Sequence, residues 1–170
     1  MPIVGWIVSM GNLTVVIGGI SSGKSAFAES LLQDERHAVT YFATLDPTAV
    51  GVADRIAMHQ QRRPEQWRTV ECSTSLCVEL SRVTGPALID SIGTWVARHK
   101  DFVVDVDALV ESVQCRADPV VVVTEEVGLS LLAPTEIGIA FQEALGRVNQ
   151  ALAQVARRVC LVVAGRVLDL

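Results

Sequence analysis

Charge is scarce in this sequence. Asp, Glu, Lys and Arg make up 19% of its 170 residues, while half of the residues are hydrophobic. A chain this apolar can build a substantial core, which excludes intrinsic disorder. Basic residues are in the minority and the formal net charge is -5. No overall positive field is available to attract nucleic acid non-specifically, so a nucleic-acid partner is not expected. Only four cysteines occur, Cys72, Cys77, Cys115 and Cys160. None are paired as C-x-x-C and none lie near a histidine at finger-like spacing, which argues against a zinc site. A chain able to bury a large core does not need a disulfide framework, so these read as free, largely buried thiols. Repeats, low-complexity tracts and convincing linkers are also lacking, and the length suits one domain.

The N-terminus lacks charge altogether from Pro2 to Ile20. It has neither the basic leading region nor the small-residue cleavage site of a signal peptide. Gly5, Gly11 and Asn12 interrupt it. The reading is therefore an N-terminal extension over residues 1–12 and a domain over 13–170. No membrane span is expected, and a cytoplasmic location is.

What is present is an alternation of short apolar runs with longer helical patterns. The spacing predicts strands at Leu13–Ile17, Val39–Ala43, Arg68–Val70, Ala87–Asp90, Val120–Val123 and Val159–Val163. These runs are nearly unbroken in Val, Ile and Leu, as in strands buried on both faces of a parallel sheet. Helices are predicted at Lys24–Gln33, Val52–Gln61, Ser75–Val83, Val106–Cys115 and Ile137–Ala156. Arg157 and Arg158 follow the last of these, where cations suit the helix dipole. The fold class is α/β, a mostly parallel sheet flanked by helices in one domain.

The first strand runs straight into "GGISSGKS", which fits G-x-x-x-x-G-K-[ST] with Gly18, Gly23, Lys24 and Ser25 in register. Glycines let backbone N–H groups curl around phosphate oxygens, and the following helix adds its positive end. Lys24 would reach the β- and γ-phosphates and Ser25 would hold Mg²⁺. The alternative is a chance glycine-rich turn, which the strand before and the helix pattern after disfavour. A phosphate loop also needs acidic partners beyond neighbouring strands. Asp90 ends "ALID", and Glu125 and Glu126 end "VVVVTEE". Any of them could hold Mg²⁺ or polarise a nucleophile, or be an ordinary solvated carboxylate.

A second informative stretch is "DRIAMHQQRRPEQWRTVE". If the helix there persists to Arg63, then Arg55, His59, Arg62 and Arg63 share an arc of about 100°. An imidazole among guanidiniums suits attack on phosphorus or proton transfer. From pattern alone the plainer reading, a solvated basic face, is preferred. His37 and His99 read as exposed and structural.

These stretches, with "YFAT", "LIDSIGTW", "TEEVG", "LGRVNQALA" and "VCLVVAGRVL", run in the order of a known family. From about Leu13 onward the sequence resembles the bifunctional adenosylcobinamide kinase / adenosylcobinamide-phosphate guanylyltransferase family. The resemblance implies a P-loop NTPase fold and two reactions. A nucleoside triphosphate, ATP or GTP, phosphorylates the adenosylcobinamide hydroxyl. GMP from GTP is then transferred to that phosphate through a guanylyl-histidine, giving adenosylcobinamide-GDP. The matching nucleophile is His59, which reverses the plainer reading, with Lys24 and Glu126 as its catalytic companions. The implied nucleotide contacts are Gly18, Gly19, Ile20, Ser21, Ser22, Gly23, Lys24 and Ser25 in the loop. To these are added Ala43, Thr44, Leu45, Gln60, Gln61, Arg62, Arg63, Glu71 and Asp90. Ser25 would take Mg²⁺ with Asp90 or Glu126, and members look like homotrimers.

The sequence departs from the family pattern at four places. Ser21 stands where an arginine is usual, and "AVGV" at Ala49–Val52 replaces an acidic patch. Glu125 replaces a common asparagine, and "IAFQE" at Ile139–Glu143 replaces an arginine-bearing segment. Each change alters charge or polarity where the family uses it. Two other readings therefore stand beside the first. One is a P-loop small-molecule kinase without a covalent step. The other is a nucleotide-binding regulatory module that has lost turnover.

Overall fold

Adjacent residues of the predicted strands go to opposite faces of one sheet, which is why these strands read as unbroken apolar runs. Val15 and Val16, Tyr41 and Phe42, Leu88 and Ile89, and Val121 and Val122 each split between two separate core clusters. With a side-chain period of 2, a strand covered on both faces must be apolar at every position. The computed structural model that shows this describes residues 12–48, 63–129 and 131–170.

The strands are β1 (Leu13–Gly18), β2 (Thr40–Ala43), β3 (Arg68–Glu71), β4 (Ala87–Asp90), β5 (Val120–Glu125), β6 (Arg158–Val163) and β7 (Arg166–Asp169). They form one sheet in the order β3-β2-β4-β5-β1-β6-β7. All pairings are parallel except β6 with β7, an antiparallel hairpin at one edge. The helices are α1 (Lys24–Ser30), α2 (Leu76–Ser81), α3 (Ile92–Ala97), α4 (Val106–Gln114) and α5 (Glu136–Val155). One core gathers Leu76, Leu80, Trp95, Leu109, Leu145, Val148 and Leu152 from α2–α5 against one face of the sheet. The other places Ala28 of α1 and Leu32 against the opposite face, with Trp67. Each buried Val or Leu side chain stabilises the fold by about 1.5–3 kcal/mol relative to exposure, so the four consecutive valines of β5 anchor the centre of the sheet.

Expected and observed elements agree in type wherever the chain is described; β4 matches over Ala87–Asp90 and the others differ at one or both ends. The first helix stops at Ser30, short of Gln33. The expected helix Val52–Gln61 lies outside the described residues, as does the 1–11 part of the extension. Three elements are additional, one of them a single 3-10 turn at Lys100–Phe102. Helix α3 has only six residues and contains Gly93, too short for a periodic signal. It is started by Ser91 and Thr94, which cap each other's backbone reciprocally. Strand β7 is exposed at every position, so no burial pattern marks it. The expected cations at the end of the last helix are also corrected. Helix α5 ends at Val155 with no basic residue in its last turn. Arg158 opens β6 instead, and its guanidinium grips Asp169 of β7 at 2.7 and 3.2 Å. His37 is exposed, as expected. His99 is half-buried, its Nδ1 2.9 Å from the Trp95 carbonyl and its ring edge-on to that indole. No helix among the described residues is long and apolar enough to cross a membrane.

Candidate active site

The sheet register lines up the candidate residues at one edge. Gly18 ends β1 with Glu125 of β5 and Val162 of β6 as its Cα partners. Ala43 ends β2 opposite Asp90 of β4 and Glu71 of β3. In a parallel sheet these are all carboxyl ends, where loops of an open α/β fold build binding sites.

The loop from Gly18 to Gly23 is held by backbone and hairpin. A Cβ on Gly18 would come within 2.5 Å of the Val162 carbonyl oxygen, so only glycine allows β1 to end so close to β6. Gly23 takes φ +95° to turn the chain into α1, a conformation that favours glycine. From the other side, the Gly165 N–H donates to the Ser22 carbonyl at 2.8 Å. The loop therefore rests on the β6–β7 turn. Inside it, Ser22 Oγ is buried with no hydrogen-bond partner among the described residues. A buried hydroxyl in that state is a group in want of a ligand.

Lys24 lies over this loop, almost fully buried. Its Nζ donates to the Gly19 carbonyl at 3.1 Å and stands 3.7 Å from Glu125 Oε1. A lysine with a side chain 4% exposed would be a buried, uncompensated charge without such a partner. Glu125 is itself held, its Oε2 accepting from the Ser91 hydroxyl at 3.1 Å. Gly93 makes room for it, since a Cβ there would lie 2.0 Å from the same oxygen. Thr44 joins the cluster by donating its hydroxyl to the Ser91 carbonyl at 2.7 Å and accepting from the Ser91 N–H at 2.8 Å.

Of the two glutamates ending "VVVVTEE", the structure brings Glu125 to the lysine. Glu126 accepts the Gly128 N–H at 2.6 Å with its carboxylate, bracing its own turn, while its backbone N–H donates to the Gly18 carbonyl at 3.1 Å. Strand alternation separates the two neighbours. Asp90 accepts from the Tyr41 hydroxyl at 2.9 Å. Burial above all, and then the Asp90 carboxylate, push the Tyr41 phenol far above its ordinary value. Arg63 lies flat on that phenol ring, its guanidinium carbon 3.4 Å from the ring centre. Glu71 is exposed at the end of β3. Leu45 lines a cavity of about 430 Å³ with Asp46, Ser73, Thr94, Ala97 and Arg98, beside the same edge. His59, Gln60, Gln61 and Arg62, together with Arg55 and the Ala49–Val52 departure, lie outside the described residues. At the fourth departure, Gln142 acts as a neutral clamp. Its side chain donates to the Val127 carbonyl at 2.9 Å and accepts the Ala133 N–H at 3.2 Å.

Sequence reasoning did not single out Tyr41, Ser91 or Gly93. They lie within "YFAT" and "LIDSIGTW", but their contacts come from the capping of the six-residue α3 and from the phase of β2. Among the described residues no three His, Cys, Asp or Glu side chains are grouped to hold a metal ion.

Comparison with known proteins adds to this geometry. The family described as cobinamide kinase / cobinamide phosphate guanyltransferase matches residues 14–170. The bifunctional adenosylcobalamin biosynthesis protein CobU of Escherichia coli is 32% identical over 175 residues, covering 90% of this chain and 96% of that protein. CobU of Salmonella typhimurium is 33% identical with the same coverage. The bifunctional protein CobP of Pseudomonas aeruginosa is 29% identical, covering 89% of this chain and 92% of its own length. Among solved structures, a protein of Pyrococcus horikoshii OT3 superposes with a TM-score of 0.58 at 6% identity, over 95% of this chain and 87% of that one. At that identity it is a likeness of fold alone.

Proposed function

The chain belongs to the cobinamide kinase / cobinamide phosphate guanyltransferase family, and from that premise we propose how its own residues divide the two reactions. The protein is a cobinamide kinase and a cobinamide phosphate guanylyltransferase of adenosylcobalamin biosynthesis. In the kinase step, the hydroxyl of the corrinoid attacks the γ-phosphorus of ATP or GTP and the nucleoside diphosphate leaves. Lys24 exchanges Gly19 and Glu125 for the β- and γ-phosphates. The loop N–H groups and the Ser22 hydroxyl take phosphate oxygens. Buried donors of this kind are worth more at the transition state than in water, because they are already in place.

In the guanylyl step, His59 attacks the α-phosphorus of GTP and pyrophosphate leaves. An oxygen of the corrinoid phosphate then attacks the same phosphorus and the P–N bond breaks. A covalent carrier splits one hard displacement into two easier ones. Arg62 and Arg63 offset the charge on the phosphorus, Arg63 through its planar fork. Gln60, Gln61 and Glu71 complete the nucleotide contacts, with the backbone of Ala43, Thr44 and Leu45. Bound Mg²⁺ supplies charge neutralisation on the phosphates. Such ions take one or two protein ligands and complete their shell with water and phosphate, so a dense protein cage is not required. Ser25 and Asp90 suit that demand, and Asp90 is preferred to Glu126 because Glu126 braces a turn. Residues 13–170 form the catalytic domain, working in the cytoplasm as a homotrimer.

The observation that carries this reading is the buried Lys24, held over the phosphate loop by Glu125 at the carboxyl edge of the sheet. Its test uses the protein with Mg²⁺ and GTP labelled at the α-phosphate, with and without adenosylcobinamide. Label should appear on the protein without corrinoid, in an acid-labile, base-resistant bond. His59→Asn should lose the label and the guanylyl transfer but keep phosphorylation of the corrinoid. A wild-type protein that takes no α-label, while still phosphorylating the corrinoid, would reduce the activity to a plain kinase.

A further inference from the structure

Tyr41 is the one tyrosine of the chain. It is buried, 3% exposed, on the face of β2 that looks toward α1. Two candidate site residues from different parts of the sequence meet on it. Its ring carries the Arg63 guanidinium, 3.4 Å from carbon to centroid. Its hydroxyl donates to Asp90 Oδ2 at 2.9 Å. Arg63 is further tied by Nη1, which donates to the Thr69 hydroxyl at 3.2 Å. A guanidinium laid flat on an aromatic face keeps all of its donors in one plane parallel to the ring. The stack thus sets the plane of the fork, and the bond to Asp90 sets the ring. Strands β2, β3 and β4 each supply one of the groups, Tyr41, Thr69 and Asp90. The orientation of Arg63 is therefore decided by the sheet.

We propose that Tyr41 is a positioning residue for the guanylyl site, its ring aiming the Arg63 fork at the nucleotide phosphate and its hydroxyl locked by Asp90. This rests on the reading above in one respect, that Arg63 meets the nucleotide. Tyr41 itself touches no substrate. It acts through Arg63, and the same hydroxyl links that arginine to the carboxylate at the end of β4.

The test is a double-mutant cycle on GTP binding in the presence of Mg²⁺, read as a dissociation constant for wild type, Tyr41→Leu, Arg63→Ala and the double variant. Tyr41→Leu should weaken binding about tenfold, within the range of a desolvated cation–π contact. The double variant should bind no worse than Arg63→Ala alone, because Tyr41 then has nothing left to orient. Losses that multiply in the double variant, or a Tyr41→Leu protein within about twofold of wild type, would overturn the proposal. Should Tyr41→Leu fail to fold by circular dichroism, Tyr41→Phe and phenylalanines of rising ring fluorination keep the shape while draining the ring's negative face. GTP binding should then weaken step by step with fluorination, and a flat series overturns the proposal. Because binding is read directly, a wild type that binds GTP but takes no α-label would refute the covalent histidine alone. The cycle still decides the role of Tyr41.

Discussion

At the scale of residues, the site depends on charges removed from water and held in pairs. Lys24 is the clearest case, with a carbonyl and a carboxylate as its partners over the loop. Lys24→Ala should remove triphosphate use while leaving the far-ultraviolet circular dichroism unchanged. The loss of one preorganised clamp on the transferring phosphate is expected to be about 3 kcal/mol, more than a hundredfold in kcat/KM. A folded variant with near wild-type turnover would refute the loop assignment. Tyr41 offers a second measurement. Its phenol is held neutral in the folded state by burial and by the Asp90 carboxylate, well above the ordinary 10.0. The sign follows from linkage. Below the unfolded value neither state ionises and the contribution is fully present. Above it the unfolded chain releases a proton that the folded chain keeps, so stability falls as pH rises. Absorbance at the tyrosinate band should show no ionisation at about pH 11 while the metal-free protein stays folded, then a single step on unfolding. The lone tyrosine makes this reading unambiguous, and a smooth titration near the ordinary value would contradict the buried geometry.

At the scale of elements, the β6–β7 hairpin does more than close the sheet. Its turn places Ala164 and Gly165 at φ 50° and 74°, the pair of positive values that a two-residue hairpin of favourable twist requires. The Gly165 N–H then reaches the Ser22 carbonyl of the phosphate loop. An edge strand exposed at every position is thus coupled to the nucleotide site through one backbone bond. Gly165→Val forces a β-branched residue into the left-handed region, at a cost of about 1–2 kcal/mol. Urea unfolding should show that loss, and steady-state kinetics should show a raised KM for the triphosphate with a smaller change in kcat. A destabilised variant with unchanged KM would mean that the hairpin supports the fold but not the loop. The Arg158–Asp169 pair that joins the two strands is exposed, and pairs of that kind contribute little.

At the scale of the whole molecule, several large apolar side chains remain uncovered in one copy of the chain. Leu129, Leu131, Leu132 and Ile137 are each at least 68% exposed and lie close together in sequence. Exposed apolar side chains of that kind are available for burial between copies of the chain. Their exposure accords with the proposed homotrimer, and light scattering at micromolar concentration should return three times the chain mass, whereas a clean monomer would rule it out. The strands of the central sheet were legible in the sequence because burial on both faces demands apolar residues in succession, and Val120–Val123 and Ala87–Ile89 meet that demand. The phosphate loop was legible because its chemistry is local: Gly18, Gly23, Lys24 and Ser25 lie within eight residues. Strand β7 was not, since an exposed edge imposes no pattern, and neither was α3, whose start depends on two short side chains. What the sequence by itself determined is therefore the α/β class, the loop and the family. Which glutamate faces the lysine, and that Tyr41 joins Arg63 to Asp90, were decided only by the tertiary structure. Those contacts depend on strand register and on the phase of each strand at its end, which many distant residues set together and no short stretch encodes.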